Sequence, residues 1–391
     1  MLNAGASGPT KKQIDSAFGW SDSSDIFNQY KYLLFEIKES EDGTFTLLPI
    51  NRLYIEKSVS SSLLQNYSNE LATNFDADVE AVNFRIGDNS ATVKQINMWI
   101  EEVTNKKIQN VLSSIASDVQ SFLINTIYFK AKWSHPFNEK ITEEPFYLDG
   151  KQSIISETMH VEEDLPYYEN KDIELVKLPY ASDKSRISMV IIKPKTRAGL
   201  SSLEKKLNYQ FTEVSSWMNS VQYKLLDLSM PKFKFESGAE NLKEILQSDF
   251  QVLKVFDASE ADLSGISSSE DLFVSSIIHK SFISVDENGT EAAAATAIGV
   301  SATSIDVDIP LVVKINQPFM FLIYDEDNAV VLFVGRMVHP SSENDANKYL
   351  ESRYSSGATR GAAIEHYSLL IIALMATVFS FLSTLNLSIS I

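Results

Sequence analysis

Apolar residues recur every three to four positions over residues 11–18, 25–38 and 90–103, the spacing that lines one face of a helix. In the last of these, Ile96, Trp99, Ile100 and Val103 fall on a single side. Residues 122–132 read FLINTIYFKAK, apolar on both faces and rich in β-formers, which predicts a central strand. Short strands follow at 176–179 and 188–193, and 224–235 alternates with Pro231 inside it. A proline there predicts that part of the segment lies at an edge or bulge. Residues 241–246 read as a short helix, and 277–285, 311–315, 319–324 and 330–334 as strands. The first half is thus mostly helical and the second mostly strand, with few βαβ alternations. That order predicts an α+β fold with largely antiparallel sheets. No internal repeat interrupts it.

Two stretches depart from this pattern. Residues 287–310 read ENGTEAAAATAIGVSATSIDVDIP. Four alanines favour helix, yet β-formers follow, and the segment is small, nearly uncharged and free of proline until Pro310. The other stretch is 367–391, which carries no charge over 25 residues. As a helix it would extend ~37 Å, enough to cross a hydrocarbon layer. A polar stretch, 341–366, separates it from the last core segment, which ends at Pro340. The chain therefore divides into a body, 1–340, a stalk, 341–366, and a membrane anchor or anchoring signal, 367–391. A buried C-terminal helix is the alternative, although nothing polar marks a second face on it.

Composition narrows the function. A chain of 391 residues holds one large domain or two, and its net charge of −18 disfavours nucleic acid and other polyanions as partners. There is no cysteine, which excludes disulfides, thiol catalysis and cysteine-type zinc sites. The five histidines, His135, His160, His279, His339 and His366, show no metal-ligand spacing. There is no nucleophile elbow, no phosphate-binding loop and no dinucleotide fingerprint, so no cofactor is called for. Asp306 and Asp308, and the pairs Glu101–Glu102, Glu143–Glu144 and Glu162–Glu163, read as solvated acids. No local signature supports a Ser-His-Asp triad or any other enzyme chemistry. Residues 1–20 lack the apolar run of a signal peptide.

Several segments together resemble the serpins, the serine-protease inhibitor family. DENGTEAAAATA at 286–297 is similar to the serpin hinge. NTIYFKAKWSHPF (125–137), INMWIEEVTNKKIQNVL (96–112), MPKFKFE (230–236), ADLSGI (261–266), HKSFISVDE (279–287), QPFMFLI (317–323) and LFVGRMVHP (332–340) resemble the family in the family's order. The resemblance implies an α+β serpin fold, with helices packed around three mostly antiparallel sheets and an exposed reactive-centre loop. It also implies that the first helix, its adjacent strand and most of the second helix are missing. Either the gene model is truncated, and a signal peptide lost with it, or this is a natural short form.

The function implied is that of a suicide substrate. A serine protease cuts the loop, the freed end inserts into the main sheet as a new strand, and the distorted acyl-enzyme is trapped. The implied hinge comprises Glu287, Gly289, Thr290, Glu291, Ala292, Ala293, Ala294, Ala295 and Thr296. On insertion, Thr290, Ala292, Ala294 and Thr296 face inward and Glu291 faces out, by the period of a strand. About a dozen ladder hydrogen bonds would contribute on the order of 10 kcal/mol. Counting from Glu287 places the scissile bond at Thr303–Ser304. The loop is about four residues longer than usual, so Val300, Ala302, Ile305 and Val307 stay open. No Lys or Arg lies between Ser281 and Val313, which argues against a trypsin-like target and for an elastase-like one; the loop has no aromatic for a chymotrypsin-like pocket.

Other roles carry over from the resemblance. Lys232, Glu287 and Trp133 correspond to the breach, where insertion begins. Asn125 and His279 correspond to the shutter at the sheet's centre, whose usual serine partners would lie on the missing helix. Residues 25–38 resemble the heparin-binding helix of some serpins but offer only Lys31 and Lys38, so no heparin activation is expected. Asn66 and Asn288 are glycosylation sequons, and a glycan on Asn288 would hinder insertion. Ser355, Ser356, Gly357 and Ala358, a spacer and the apolar tail fit a GPI signal, with a plain transmembrane anchor as competitor. These readings describe a monomeric glycoprotein inhibitor, secreted or tethered to the outer cell surface. A non-inhibitory serpin, serving as chaperone, carrier or surface interaction protein, is the rival.

Overall fold

The computed structural model describes residues 1–340 except 21–22, 41–44, 86–88, 149, 208–211, 237–239, 269–271 and 291–308. Its helices are α1 (Leu2–Gly5), α2 (Gly8–Ala17), α3 (Ser23–Ser40), α4 (Gln65–Phe75), α5 (Ser90–Val103), α6 (Leu200–Leu207), α7 (Thr212–Asn219) and α8 (Lys243–Ser248). Its strands are β1 (Phe45–Glu56), β2 (Asp78–Val82), β3 (Ser121–Lys132), β4 (Thr142–Tyr147), β5 (Ser153–Glu169), β6 (Ile173–Pro179), β7 (Ile187–Pro194) and β8 (Gln222–Pro231). The rest are β9 (Phe233–Glu236), β10 (Glu240–Asn241), β11 (Ser276–Asp286), β12 (Gly289–Thr290), β13 (Leu311–Lys314), β14 (Phe319–Asp325) and β15 (Val330–Met337).

The strands form two sheets among the described residues. One has seven strands in the order β10-β11-β12-β3-β1-β2, with β9 on β11; the other has eight, in the order β13-β8-β5-β6-β7-β14-β15, with β4 on β5. The family resemblance implies three sheets within the same α+β fold. The difference lies in β5, whose 17 residues pair with β4 and β8 over their first part and with β6 over Tyr167–Glu169. Two groups of strands therefore share one hydrogen-bonded ladder. The alternating segment around Pro231 is also two strands. β8 ends at Pro231 opposite Thr158, inside the eight-stranded sheet, and β9 starts afresh in the seven-stranded one.

By its contacts the chain falls into two compact units. The first comprises Met1–Glu39, Leu47–Tyr128 and Glu236–Phe282. In it α5 buries Val93, Ile96 and Ile100, and Ile96 and Ile100, with half-buried Trp99 beside them, meet Tyr54, Phe122, Ile124 and Tyr128 of the sheet. The stretch after α5 joins the same cluster through Ile108 and Val111. α4 buries Tyr67, Leu71 and Phe75 and stops where Asp76 adopts a left-handed conformation. The second unit comprises Ser40–Thr46, Phe129–Phe235 and Ile283 onward. Here α6 and α7 cover β6, β7, β14 and β15, with Leu203, Leu207, Val214 and Trp217 against Ile192, Leu322 and Val334. Full burial of each such side chain stabilises by roughly 1.5–3 kcal/mol.

Candidate functional site

In the second unit, β11 runs up to Asp286 and the chain turns back on itself. The Asp286 carboxylate accepts hydrogen bonds from the amides of Asn288 (2.9 Å) and Gly289 (3.2 Å), as an Asx turn requires. Burial holds the Asp286 carboxyl above its usual range, with those two amides opposing it. β12 then returns antiparallel to β11, Thr290 opposite Val285 and Gly289 opposite Asp286. On its other side it is antiparallel to β3, Gly289 opposite Lys132 and Thr290 opposite Ala131. Gly289 has φ +153°, and a Cβ there would lie 2.1 Å from the carbonyl oxygen of Ala131. Only glycine allows that approach.

The turn is fastened from several sides. The Trp133 amide donates to the Asn288 carbonyl (3.0 Å) and the Phe137 amide to that of Glu287 (2.8 Å). The Trp133 indole N–H donates to the Asp286 carbonyl at 2.9 Å. Its ring stacks on Tyr180, with centroids 4.5 Å apart and planes 10° from parallel. The Tyr180 hydroxyl is 2.7 Å from the Thr290 hydroxyl. Lys232 and Glu287 form an ion pair, both half-buried. Burial pushes the Glu287 carboxyl up, but the hydrogen bond and charge of Lys232 together with a backbone amide outweigh that and hold it below the usual range.

In the first unit, β3 and β11 pair directly and in parallel, from Phe122 opposite Ser276 to Tyr128 opposite Phe282. His279 faces Asn125 in this ladder, its Nδ1 2.6 Å from the Asn125 side-chain oxygen. That oxygen only accepts, so Nδ1 carries the proton. Asn125 in turn donates to the Asn51 side-chain oxygen of β1 at 2.6 Å. Desolvation pulls the His279 pKa down to about 4, so the ring is neutral at physiological pH. Asn51 was not singled out from the sequence. Nothing local in β1 marks it, since Arg52 follows it directly.

A strap after α5 covers this seam. The Thr104 hydroxyl donates to the Ile100 carbonyl (2.6 Å) and accepts from the Ile108 amide (3.2 Å), ending the helix and turning the chain. Asn97 holds Leu112 by both backbone groups, at 2.8 and 2.9 Å. Lys280 of β11 donates to the Gln109 carbonyl at 2.9 Å. The strap thus joins α5 to β11.

The remaining expected residues are placed as follows. The hinge from Glu291 to Thr296, the bond Thr303–Ser304 and its alternatives Val300, Ala302, Ile305 and Val307, Asp306 and Asp308, and residues 341–391 lie outside the described residues. Asn66 is exposed on the first turn of α4, and Asn288 is half-buried in the hinge turn. Lys38 of α3 is paired with Asp76 at 2.7 Å. Among the described residues no three His, Cys, Asp or Glu side chains converge as a metal site, and no helix is long and apolar enough to cross a membrane.

Among the described residues the site thus offers a parallel ladder between β3 and β11 in the first unit and a docked turn, Glu287–Thr290, in the second. Comparison with known proteins supplies the family. The family described as serpin (serine protease inhibitor) matches residues 1–340. The leukocyte elastase inhibitor of Xenopus laevis is 33% identical over 349 residues, covering 87% of this chain and 89% of that protein. Serpin48 of the insect Tenebrio molitor, a solved structure, has a TM-score of 0.76 at 30% identity, covering 87% of this chain and 88% of that one. Human thyroxine-binding globulin, solved with its hormone, shares the fold with a TM-score of 0.78 at 23% identity, over 87% and 88% of the two chains. The chain belongs to the serpin family.

Proposed function

We propose that this serpin inhibits serine proteases as a suicide substrate, and that its target is elastase-like. One observation carries the reading: β12 lies between β11 and β3, antiparallel to both, as the first rung of an inserted strand. Thr290 there is fully buried, 0% exposed, which sets the inward phase for the alanines that follow it in the sequence. An elastase-like protease suits a loop of small and β-branched residues without Lys or Arg, and the similarity to an elastase inhibitor supports the same choice. The test is incubation with an elastase-like, a chymotrypsin-like and a trypsin-like protease, followed by denaturing gels. A covalent band with the first, and none with the last, is expected. Clean cleavage without a covalent band would leave the non-inhibitory reading.

The tail suggests where inhibition takes place. We propose that residues 367–391 tether the protein to the outer cell surface, and that Asn66, exposed on α4, carries a glycan. Detergent-phase partitioning of the expressed protein, lost when 367–391 is deleted, is the expected result. Release by a phosphatidylinositol-specific phospholipase distinguishes a GPI anchor from a transmembrane one.

A further inference from the structure

The described end of the hinge, Gly289–Thr290, is docked between β11 and β3 in the uncut chain. Thr290 is buried between two strands, and its hydroxyl meets that of Tyr180 at 2.7 Å. Tyr180 is itself buried, 4% exposed, and among the described residues its hydroxyl has no second hydrogen-bond partner. Removing Thr290 from the seam would strand that hydroxyl, and an unpaired buried hydroxyl is costly. The Tyr180 ring cannot follow, because it is stacked on Trp133 and edge-on to Phe129. Trp133 is fixed in turn by its bonds to Asp286 and Asn288.

Register is what such a fixed contact supplies. A strand slipped by one residue turns every side chain to the opposite face. With Thr290 opposite Ala131 and Val285, the next residue in the sequence, Glu291, enters on the outward side. One residue of slip would drive that carboxylate into the interior. We propose that Tyr180 is the positioning residue for strand insertion. Its hydroxyl holds Thr290 at the entrance, so that insertion after cleavage starts from a preset register instead of searching for one. The assignment rests on the suicide-substrate reading for its consequence, but the docked hinge can be measured without it.

Tyr180→Phe keeps the stack on Trp133 and removes only the hydroxyl; Thr290→Val removes the other partner at nearly constant shape. In each variant, slower insertion gives hydrolysis of the acyl-enzyme more time. The moles of inhibitor consumed per mole of elastase-like protease trapped should rise about threefold to tenfold, as expected for loss of one buried hydrogen bond. The double variant should be no worse than either single one, and Thr290→Ser, which keeps a hydroxyl, should behave as wild type. Stoichiometry unchanged in both single variants overturns the proposal. Hydrogen exchange by mass spectrometry supplies the second measurement, on uncleaved protein. Peptides covering residues 283–290 should be protected in the wild type and exchange about tenfold faster in Tyr180→Phe; equal exchange in the two proteins also overturns it. If the exchange difference appears but the wild type traps no protease, the docked hinge stands and the suicide-substrate reading falls.

Discussion

His279 lies in the parallel ladder with its proton on Nδ1, donated to Asn125, and with no charge on the ring. Its pKa is pulled from 6.5 in water to about 4 by desolvation. Below pH 6.5 the unfolded chain takes up a proton that the folded chain refuses, so the unfolded state binds more protons and stability falls as the pH falls. The loss proceeds from about pH 6.5 down to about pH 4 and then levels off, once both states are protonated. It amounts to roughly 3 kcal/mol. Urea unfolding of wild type and His279→Gln between pH 7 and pH 4 should show the wild-type curve dropping more steeply by that amount. Parallel curves would mean the ring is charged, or wet, in the folded protein. Lys232 makes a smaller contribution at the other end of the hinge. Its pair with Glu287 is half-buried, so Lys232→Ala should cost about 1 kcal/mol, with Glu287→Ala in the same background adding little in a double-mutant cycle.

At the scale of elements, the hinge makes the sharpest claim. If Thr290 sets the phase, residue 292 enters facing inward on full insertion, where an alanine fits between two strands already in contact. Ala292→Arg would place a charge there without a partner, a cost of several kcal/mol. The variant should fold normally and be cut at the same bond, yet form few covalent complexes, as read from the ratio of cleaved to complexed inhibitor. An undiminished complex yield would show that the phase is wrong. How far such elements could be read in advance depends on what holds them. α5 was legible to its ends, Ser90 and Val103, because its apolar period is local information, although of the expected face Ile96 and Ile100 are buried while Trp99 and Val103 are half-buried. β1 was not, since Pro49 and Asn51-Arg52 break its alternation. β5 hid behind Glu157, Glu162 and Asp164 on its solvent-facing positions, which look like loop. The family resemblance singled out His279 and Asn125, whose side chains lie 2.6 Å apart, while the hinge it implies from Glu291 onward lies outside the described residues. The docking of β12 was not legible, because a strand of two residues is held entirely by distant partners, Ala131, Val285 and Tyr180. Asn51 was missed for the same reason: its meaning comes from Asn125, 74 residues away.

For the molecule as a whole, the proposed mechanism requires a folded protein to take up another strand. Over Phe122–Tyr128 and Ser276–Phe282 the seam is a parallel ladder. A strand entering from β12 must run antiparallel to both sides, as β12 itself does. Insertion therefore exchanges one parallel ladder for two antiparallel ones, which are slightly more stable per residue, and the loop gains bonds on both edges. Against this stand the constraint of an uncut loop, tied at its far end to β13, and the strap that Lys280 binds to β11. Cutting the loop removes the first obstacle. The second has then only to yield once, to a gain on the order of 10 kcal/mol from a dozen ladder bonds. A gain of that size should lift the thermal midpoint by at least ~10 °C. Circular dichroism melts of the protein before and after a single nick between residues 298 and 307 measure it directly. A nicked protein that melts where the intact one does would have gained no strand, and the seam between β3 and β11 would then be an ordinary parallel ladder.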